Sequence, residues 1–223
     1  MTIVPHLDET NVGLFTDLYE LTMSEVYFEA GHNGEATFSL FVRRLPEGRN
    51  YLLACGLDDV LSYLEALSFS GEALAFLRSL GKFSDAFLDW LKDFRFTGSV
   101  DAVAEGTPIF ANEPILEVTA PIAEAQIAET FILNQVHLQT VLATKAIRVV
   151  EAAAGRSVVD FAARRIHGLD AANKAARASH IAGVAGTSNV LAAKLYGIPA
   201  MGTMAHSFIQ SYESEIEAFR DFT

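Results

Sequence analysis

Two segments in the second half of the chain decide its fold: VVDFAARR at residues 158–165 and IPAMGTMAHS at residues 198–207. Each begins as an apolar run typical of a buried strand and continues into polar side chains. A stretch of helical composition, residues 171–196, lies between them. The order strand, helix, strand predicts a parallel pair whose polar ends share one rim of the sheet. Because barrel enzymes carry their active site on that rim, we expect an aromatic ring, two arginines and a histidine to converge on one pocket.

The composition of the chain limits its class. Its 223 residues, 51% of them hydrophobic, are enough for one large domain or two small ones. No apolar run approaches the roughly 20 residues that span a bilayer, and residues 1–10 lack the apolar core of a secretory signal, so we expect no membrane partner. A net charge of −12 predicts repulsion from nucleic acid. The single cysteine, Cys55, excludes an intrachain disulfide and indicates a reducing cytoplasm.

The first part of the chain predicts a mixed helical and antiparallel unit. Thr16-Asp17 caps a helix that ends at Gly31, and a strand over 36–45 ends in Arg43-Arg44. Amphipathic helices are predicted over 57–67, 71–80 and 84–94. Short strands punctuated by glycine and proline are predicted over 96–103, 107–110 and 115–119, as a small antiparallel sheet.

The second part of the chain changes to a parallel pattern. Pro121 opens a long helix that runs to about Ala154 and stops at Gly155. Residues 183–186 predict a third short strand, and Thr187-Ser188-Asn189 then caps a helix over 190–196. A last helix begins near Ser211. A closed eight-stranded barrel needs more strands than these, so the sequence predicts an unfinished barrel.

His206 is the most versatile candidate side chain. An imidazole that follows a buried strand can act as a general base, accept a phosphoryl group, bind a metal or remain a core residue. The flanking Gly202-Thr203 and Ser207-Phe208 predict a tight, polar exit from the strand, which favours a functional role.

Other candidate residues each have a plain structural alternative. Phe161 can stack on a flat aromatic ligand or pack in the core, and Arg164 can fork onto a carboxylate. Ser188 can bind a ligand or only cap its helix, and Tyr19 can belong to the core or to an interface. The pairs Arg43-Arg44 and Arg164-Arg165 can form an anion site on this acidic chain or balance surface charge.

Metal and dinucleotide motifs are missing from the sequence. His167, Asp170 and His180 match no zinc-ligand spacing, so we expect no protein-bound metal. Neither a Gly-x-Gly-x-x-Gly after a strand nor a Walker A sequence occurs, so those two nucleotide-binding folds are not supported.

Seven segments stand in a fixed order across nearly the whole chain: TDLYELTM at 16–23, FVRRLP at 41–46, LN at 133–134, ATKA at 143–146, DFAARR at 160–165, GTSNV at 186–190 and GTMAHS at 202–207. Any one of them is weak, but the ordered set is highly specific. The set resembles nicotinate phosphoribosyltransferase, a type II phosphoribosyltransferase. The resemblance implies an α/β fold: an incomplete type II phosphoribosyltransferase-like (β/α) barrel over 121–223, preceded by an N-terminal α+β sandwich-type domain over 1–120.

The resemblance also implies a reaction of NAD salvage. Nicotinate and phosphoribosyl pyrophosphate give nicotinate mononucleotide and pyrophosphate, with coupled hydrolysis of ATP as co-substrate. Mg²⁺ enters with the phosphates, and no tightly bound cofactor is expected. His206 is implied to be phosphorylated transiently from ATP, so it is both the catalytic and the modified residue.

The remaining roles are carried over from the same motifs. Phe161 is implied to stack on one face of the pyridine ring, and Tyr19 from the partner subunit of a head-to-tail homodimer to cover the other. Arg164 is implied to contact the substrate end of the pocket, Thr203 is implied to bind substrate as well, and Arg43 and Arg44 are implied to contact the phosphate-rich substrate.

Ser188 carries the implied choice of base. The related nicotinamide enzyme resembles this chain here but has aspartate at the matching position. A carboxylate repels a carboxylate ligand, whereas a serine at a helix N-terminus favours one. The resemblance therefore implies nicotinate over nicotinamide.

Length separates this chain from the family, whose members are substantially longer. The second half of the barrel has no counterpart before Thr223. The chain is therefore expected to be a truncated product, an artificially shortened chain, or half of a split enzyme completed by a companion chain. Two alternatives stay open. One is a non-catalytic remnant that binds nicotinate or dimerises. The other is a quinolinate-type phosphoribosyltransferase, against which segment 202–207 argues because that enzyme does not use the ATP-linked histidine.

Overall fold

The computed structural model describes residues 7–222. Its α-helices are α1 (Leu18–Ala30), α2 (Leu57–Ala66), α3 (Gly71–Ser79), α4 (Asp85–Lys92), α5 (Ile122–Ala152), α6 (Leu169–Ile181), α7 (Val190–Tyr196), α8 (His206–Gln210) and α9 (Glu215–Phe222). Its strands are β1 (Glu35–Phe41), β2 (Leu52–Leu53), β3 (Ser99–Ala102), β4 (Pro108–Ile109), β5 (Pro114–Pro121), β6 (Val159–Asp160) and β7 (Gly186–Thr187).

An antiparallel sheet with the order β1-β5-β3 organises the first part of the chain. β5 pairs on one side with β1 and on the other with β3, and β2 and β4 form a separate antiparallel pair. The predicted antiparallel pairing is confirmed for the strands at 96–103 and 115–119, which are β3 and β5, with β1 as a further member, but the strand predicted over 107–110 is wrongly placed, because β4 pairs with β2 instead. The strand predicted over 36–45 is too long, because β5 begins at Pro114, opposite Phe41, and offers no partner beyond it. Arg43 and Arg44 therefore lie outside the strand.

The main core lies between this sheet, helices α2 to α4 and one face of α5. Phe87, Leu91 and Ile127 are fully buried in it. Tyr63 on α2 stacks on Phe131 on α5, with ring centroids 3.8 Å apart and planes within 6°. The three predicted amphipathic helices are confirmed, since each presents apolar side chains to this core.

Helix α5 is shared by both parts of the chain. Pro121 stands at its N-cap position, as predicted, and the helix ends two residues before Ala154. On one face, the hydroxyls of Thr140 and Thr144 accept hydrogen bonds from the backbone around β2. On another face, Ala143 packs against α6. The helix therefore connects the antiparallel unit to the parallel segment.

The parallel segment is confirmed as a short start of a barrel-type sheet. β6 pairs in parallel with β7, and Thr187 forms a further parallel bridge with Ala200. The helical stretch predicted between the strands is two helices, α6 and α7. The third strand predicted over 183–186 begins instead at Gly186, because Gly183 belongs to the turn that ends α6 and has φ +98°.

The last predicted elements need correction. The apolar strand expected before His206 is reduced to the single bridge at Ala200, which pairs on one side only, and residues 199–203 are exposed. His206 begins the short helix α8 rather than following a buried strand, and the final helix begins at Glu215 rather than near Ser211.

Within residues 7–222, no single helix is long and apolar enough to cross a membrane. Helices α2 and α3 together have the necessary length and composition, but they are bent by 85° at their junction.

Candidate functional site

Parallel pairing brings three chain segments to one rim. Val159 lies opposite Gly186 and Asp160 opposite Thr187, and the backbone amide of Met201 donates to the Thr187 carbonyl at 2.9 Å. The residues that follow these pairs therefore leave the sheet at the same edge. The convergence of the 158–165 and 198–207 segments is confirmed, and the segment after β7 joins them. Their side chains stand on an open, exposed rim.

The aromatic and cationic candidates are accessible on this rim. Phe161 follows β6 directly and is 47% exposed, so the interpretation of this ring as core packing is wrong. Arg164 is also exposed. It lies on a single 3₁₀ turn, Ala163–Arg165, rather than at the strand end, because the strand stops at Asp160.

Ser188 and Asn189 were both predicted to cap α7, and the structure gives the two residues different hydrogen bonds. The side chain of Asn189 caps α7 by accepting the amide of Ala192 at 3.2 Å. The amide of Ser188 donates to the carbonyl of Asp160 at 2.8 Å, at the end of the pairing of β6 with β7. Within residues 7–222, the Ser188 hydroxyl makes no hydrogen bond. The interpretation of Ser188 as a helix cap is therefore wrong, and its hydroxyl is available to a ligand.

His206, with its neighbours Thr203 and Ser207, is exposed, so the core interpretation of this histidine is wrong. Its backbone begins α8 after Ala205, whose conformation is extended. The imidazole finds no hydrogen-bond partner in the described part of the chain, so nothing there fixes its tautomer.

Tyr19, Arg43 and Arg44 lie in the other part of the molecule. Tyr19 on α1 is 51% exposed, and α1 packs on α4 and α5. Desolvation and the neighbouring carboxylates of Glu20 and Glu129 raise the pKa of the Tyr19 hydroxyl. Arg43 and Arg44 are exposed just after β1. Among the described residues, no hydrogen bond or ion pair joins these three side chains to the rim.

A partly buried ion pair that the sequence analysis missed lies behind the rim. Arg177 on α6 contacts Glu105 through two parallel hydrogen bonds of 2.7 and 2.9 Å, and the two side chains are only 15% and 18% exposed. Glu105 also accepts the amides of Gly56 and Leu57, at 2.6 and 3.1 Å. Burial raises the pKa of Glu105, but the hydrogen bonds and charge of Arg177 and the two amides outweigh it, so the pKa lies below its usual range. The spacing of Glu105 and Arg177 in the sequence gives no signal that their side chains form an ion pair.

Metal-binding geometry is not found in residues 7–222, where no group of three or more His, Cys, Asp or Glu side chains could hold an ion. In the trio considered from the sequence, Asp170 pairs with Lys174 at 2.8 Å, and His180 bonds to the carbonyl of Val184 at 2.8 Å.

The geometry defines an α/β protein whose parallel strands end in an exposed polar rim, the arrangement on which barrel enzymes build their sites. Two family models match the chain: the nicotinate phosphoribosyltransferase N-terminal domain over residues 14–137 and the nicotinate phosphoribosyltransferase family over residues 156–223. The chain therefore belongs to the nicotinate phosphoribosyltransferase family. This membership disfavours the quinolinate-type alternative.

Proteins similar to this chain in sequence are named nicotinate phosphoribosyltransferase. The chain is 60% identical to nicotinate phosphoribosyltransferase pncB2 of Mycobacterium tuberculosis, over 94% of this chain and 45% of that protein. It is 40% identical to nicotinate phosphoribosyltransferase of Bacillus subtilis, over 96% of this chain and 44% of that one. The chain thus spans about half the length of the curated relatives it matches.

Solved structures agree on the fold. Human nicotinic acid phosphoribosyltransferase superposes with a TM-score of 0.80 at 35% identity, over 88% of this chain and 40% of that one. Nicotinate-nucleotide pyrophosphorylase from Pyrococcus furiosus superposes with the same TM-score at 24% identity, over all of this chain and 50% of that one. At that identity, the second likeness shows the fold alone.

Proposed function

We propose that this chain carries the base-binding half of a nicotinate phosphoribosyltransferase. In the reaction, the ring nitrogen of nicotinate forms a bond to C1 of the phosphoribosyl group, and the bond from C1 to pyrophosphate breaks. The products are nicotinate mononucleotide and pyrophosphate. The observation that carries the proposal is 60% identity to a protein of that name across 94% of this chain. The exposed rim described above supports it.

The rim residues suit an aromatic acid. Phe161 offers an exposed ring face for stacking on the pyridine. Arg164 offers a guanidinium that can fork onto the carboxylate. Ser188 offers a hydroxyl that, within residues 7–222, is not occupied by other bonds. A flat ring with one negative group needs these three functions.

We assign to His206 the coupling of ATP hydrolysis to the transfer reaction. Its exposed imidazole can take the γ-phosphoryl group of ATP onto a ring nitrogen, with ADP as the leaving group, and release phosphate to water later. Thr203 lies on the same exposed segment. Mg²⁺ comes with the phosphates of the substrates and not with the protein.

The partner contribution completes the proposal. The exposed Tyr19 covers the second face of the pyridine from the other subunit of a head-to-tail dimer, and Arg43 and Arg44 add positive charge for the phosphates. We place the reaction in the cytoplasm, in keeping with a single free cysteine, Cys55, in the chain.

The test is formation of nicotinate mononucleotide by the purified 223-residue chain, given nicotinate, phosphoribosyl pyrophosphate, Mg²⁺ and ATP. We expect His206→Ala to abolish the stimulation by ATP and to leave slow, ATP-independent transfer. His32→Ala, which removes another exposed histidine far along the chain, is the control and keeps the stimulation. An ATP response that survives in His206→Ala would show that the histidine is wrongly assigned.

A second candidate function follows from the 45% span of the relatives. The chain can be a nicotinate-binding fragment, or one half of a split enzyme, whose phosphoribosyl site lies on another polypeptide. Folded chain that binds radiolabelled nicotinate in equilibrium dialysis but makes no product would favour this candidate over the enzyme.

The choice of base is tested at Ser188. Ser188→Asp places a carboxylate on the rim, and we expect it to weaken nicotinate binding more than nicotinamide binding because like charges repel. Ser188→Asn, of similar size without the charge, is the matched control. Equal nicotinate affinity in wild type and Ser188→Asp would contradict the specificity argument.

A further inference from the structure

The side chains of Asp160 and Thr187 form a continuous hydrogen-bonded link across the rim. One carboxylate oxygen of Asp160 accepts the Thr187 hydroxyl at 2.8 Å, and the other accepts the amide of Ala162 at 2.9 Å. The Thr187 oxygen in turn accepts the amide of Asn189 at 3.1 Å. A hydroxyl has one proton, and Thr187 donates it in the hydrogen bond to Asp160. The Thr187 oxygen can therefore only accept from Asn189, which fixes the donor and the acceptor of every bond in the link.

The link brackets two of the proposed nicotinate contacts. Asp160 and Ala162 stand on either side of Phe161 in the chain, and Thr187 and Asn189 stand on either side of Ser188. The four flanking residues are therefore joined by side-chain bonds, while the two residues between them keep their own side chains free for a ligand.

The backbone pairing of β6 with β7 is short. The two strands share two register pairs in the described structure, with backbone bonds of 2.8 Å from the Ala185 amide to the Val158 carbonyl and from the Ser188 amide to the Asp160 carbonyl, and so short a pairing is weak by itself. The Thr187 side chain is buried, with 1% of the residue exposed, and it bonds to a carboxylate, which makes a hydrogen bond stronger than one between neutral groups. Within residues 7–222, Asp160 has no ion-pair partner, so its two acceptor bonds are what hold the carboxylate in place.

We propose that Asp160 and Thr187 are positioning residues for the nicotinate subsite, and that their side-chain bond sets the spacing between Phe161 and Ser188. The inference rests on the proposed function. Neither residue touches the base: they act through the two residues that do.

The experiment compares Thr187→Val with Thr187→Ser in the full chain. Valine keeps the shape and removes the hydroxyl, whereas serine keeps it. We expect Thr187→Val to accelerate amide hydrogen exchange at both Asn189 and Ala162, and to weaken nicotinate binding measured by calorimetry about tenfold, the range expected for a lost bond to a charged group. We expect Thr187→Ser to restore both properties.

A control separates positioning from simple stability. Thr144→Val removes an equally buried hydroxyl on α5, which bonds to the Leu53 amide away from the rim. It should lower the unfolding midpoint without changing nicotinate affinity. If Thr187→Val does not fold, Asp160→Asn replaces it, because the amide keeps the shape but has one acceptor oxygen, so it cannot accept from both the Thr187 hydroxyl and the Ala162 amide.

The outcomes are distinct. Unchanged exchange at Ala162 in Thr187→Val, or wild-type nicotinate affinity in that variant, would overturn the inference. A wild-type chain that binds no nicotinate would refute the proposed function. The exchange data alone would then decide whether the link couples the two segments.

Discussion

Replacing Arg177 by methionine tests how α6 is held against the antiparallel unit. Methionine keeps most of the apolar stem and removes the guanidinium. Glu105 then keeps two amide donors, Gly56 and Leu57, but loses its cation in a site where its side chain is only 18% exposed. Because α6 also packs against the 163–165 turn, β7 and α7, the ion pair supports the rim from behind.

The magnitude follows from burial and from the remaining bonds. Breaking a buried pair by removing one partner destabilises a protein by about 3–5 kcal/mol. The two amides that still donate hydrogen bonds to Glu105 offset part of this at about 1 kcal/mol each, while the lost cation over the Tyr196 ring, 6.0 Å from its centroid, adds about 0.5 kcal/mol. We expect Arg177→Met to destabilise the chain by about 2.5 kcal/mol, or about 5–10 °C in Tm.

The loss should depend on pH. In the folded wild type, the pKa of Glu105 lies below its usual range, so the ionised pair stabilises the fold at pH values above the unfolded pKa of about 4.3. This stabilisation disappears as the pH falls through the lower folded pKa. Without Arg177, burial acts with less opposition and the pKa of Glu105 rises. The difference between wild type and variant is therefore largest at pH 7 and smaller near pH 4.

The assay is urea unfolding at pH 7 and pH 4, followed by the fluorescence of Trp90, the single tryptophan, which packs against Phe87 and Phe94. Arg78→Met is the control. It removes an arginine from an exposed ion pair with Asp85, whose side chains are 53% and 86% exposed, so its midpoint should stay close to wild type. A midpoint for Arg177→Met that matches this control, or a loss that is equal at both pH values, would refute the reasoning.

Two further predictions concern the rim. Gly186→Ala places a Cβ 2.6 Å from the carbonyl of Pro199, so we expect a destabilisation of about 2 kcal/mol in urea unfolding, whereas Gly202→Ala, with open space around it, should be tolerated. Equal unfolding midpoints for Gly186→Ala and Gly202→Ala would contradict the close approach of Gly186 to the Pro199 carbonyl. Asn189→Ala removes the cap of α7 and should destabilise by about 1 kcal/mol in the same assay, while Ser188→Ala should not. A larger destabilisation in Ser188→Ala than in Asn189→Ala would show that Ser188 caps α7.

Local signals predicted much of the architecture. Asp17 and Gly31 bound α1 as predicted: Asp17 is extended at the N-cap position, although its side chain makes no capping bond, and Gly31 adopts the left-handed region after the helix, with φ +68°. Pro121 opens α5 because its missing amide is not needed there. The parallel order of the last strands followed from a strand, a helix and a strand in sequence, and that order alone places Phe161 and Met201 at one rim.

Features that depend on distant chain were not predictable. Glu105 and Arg177 are separated by 72 positions, and only the docking of α6 onto the antiparallel unit pairs them. The end of β1 is set by the start of β5 at Pro114, not by any residue near Arg43. The exposure of Ala200 has the same origin, because an apolar run becomes a buried strand only where partners lie on both sides.

Ser188 shows how such a distant contact can decide chemistry. Serine and asparagine are both good helix caps, so the sequence could not choose between Ser188 and Asn189. The structure makes the choice: the Asp160 carbonyl of β6 accepts the Ser188 amide, and the next residue, Asn189, is extended and caps the helix by accepting the Ala192 amide. The Ser188 hydroxyl is therefore not used to cap the helix. A hydroxyl without a structural hydrogen bond is available to a ligand, so the pairing of β6 with β7 determines where this rim can recognise an acid.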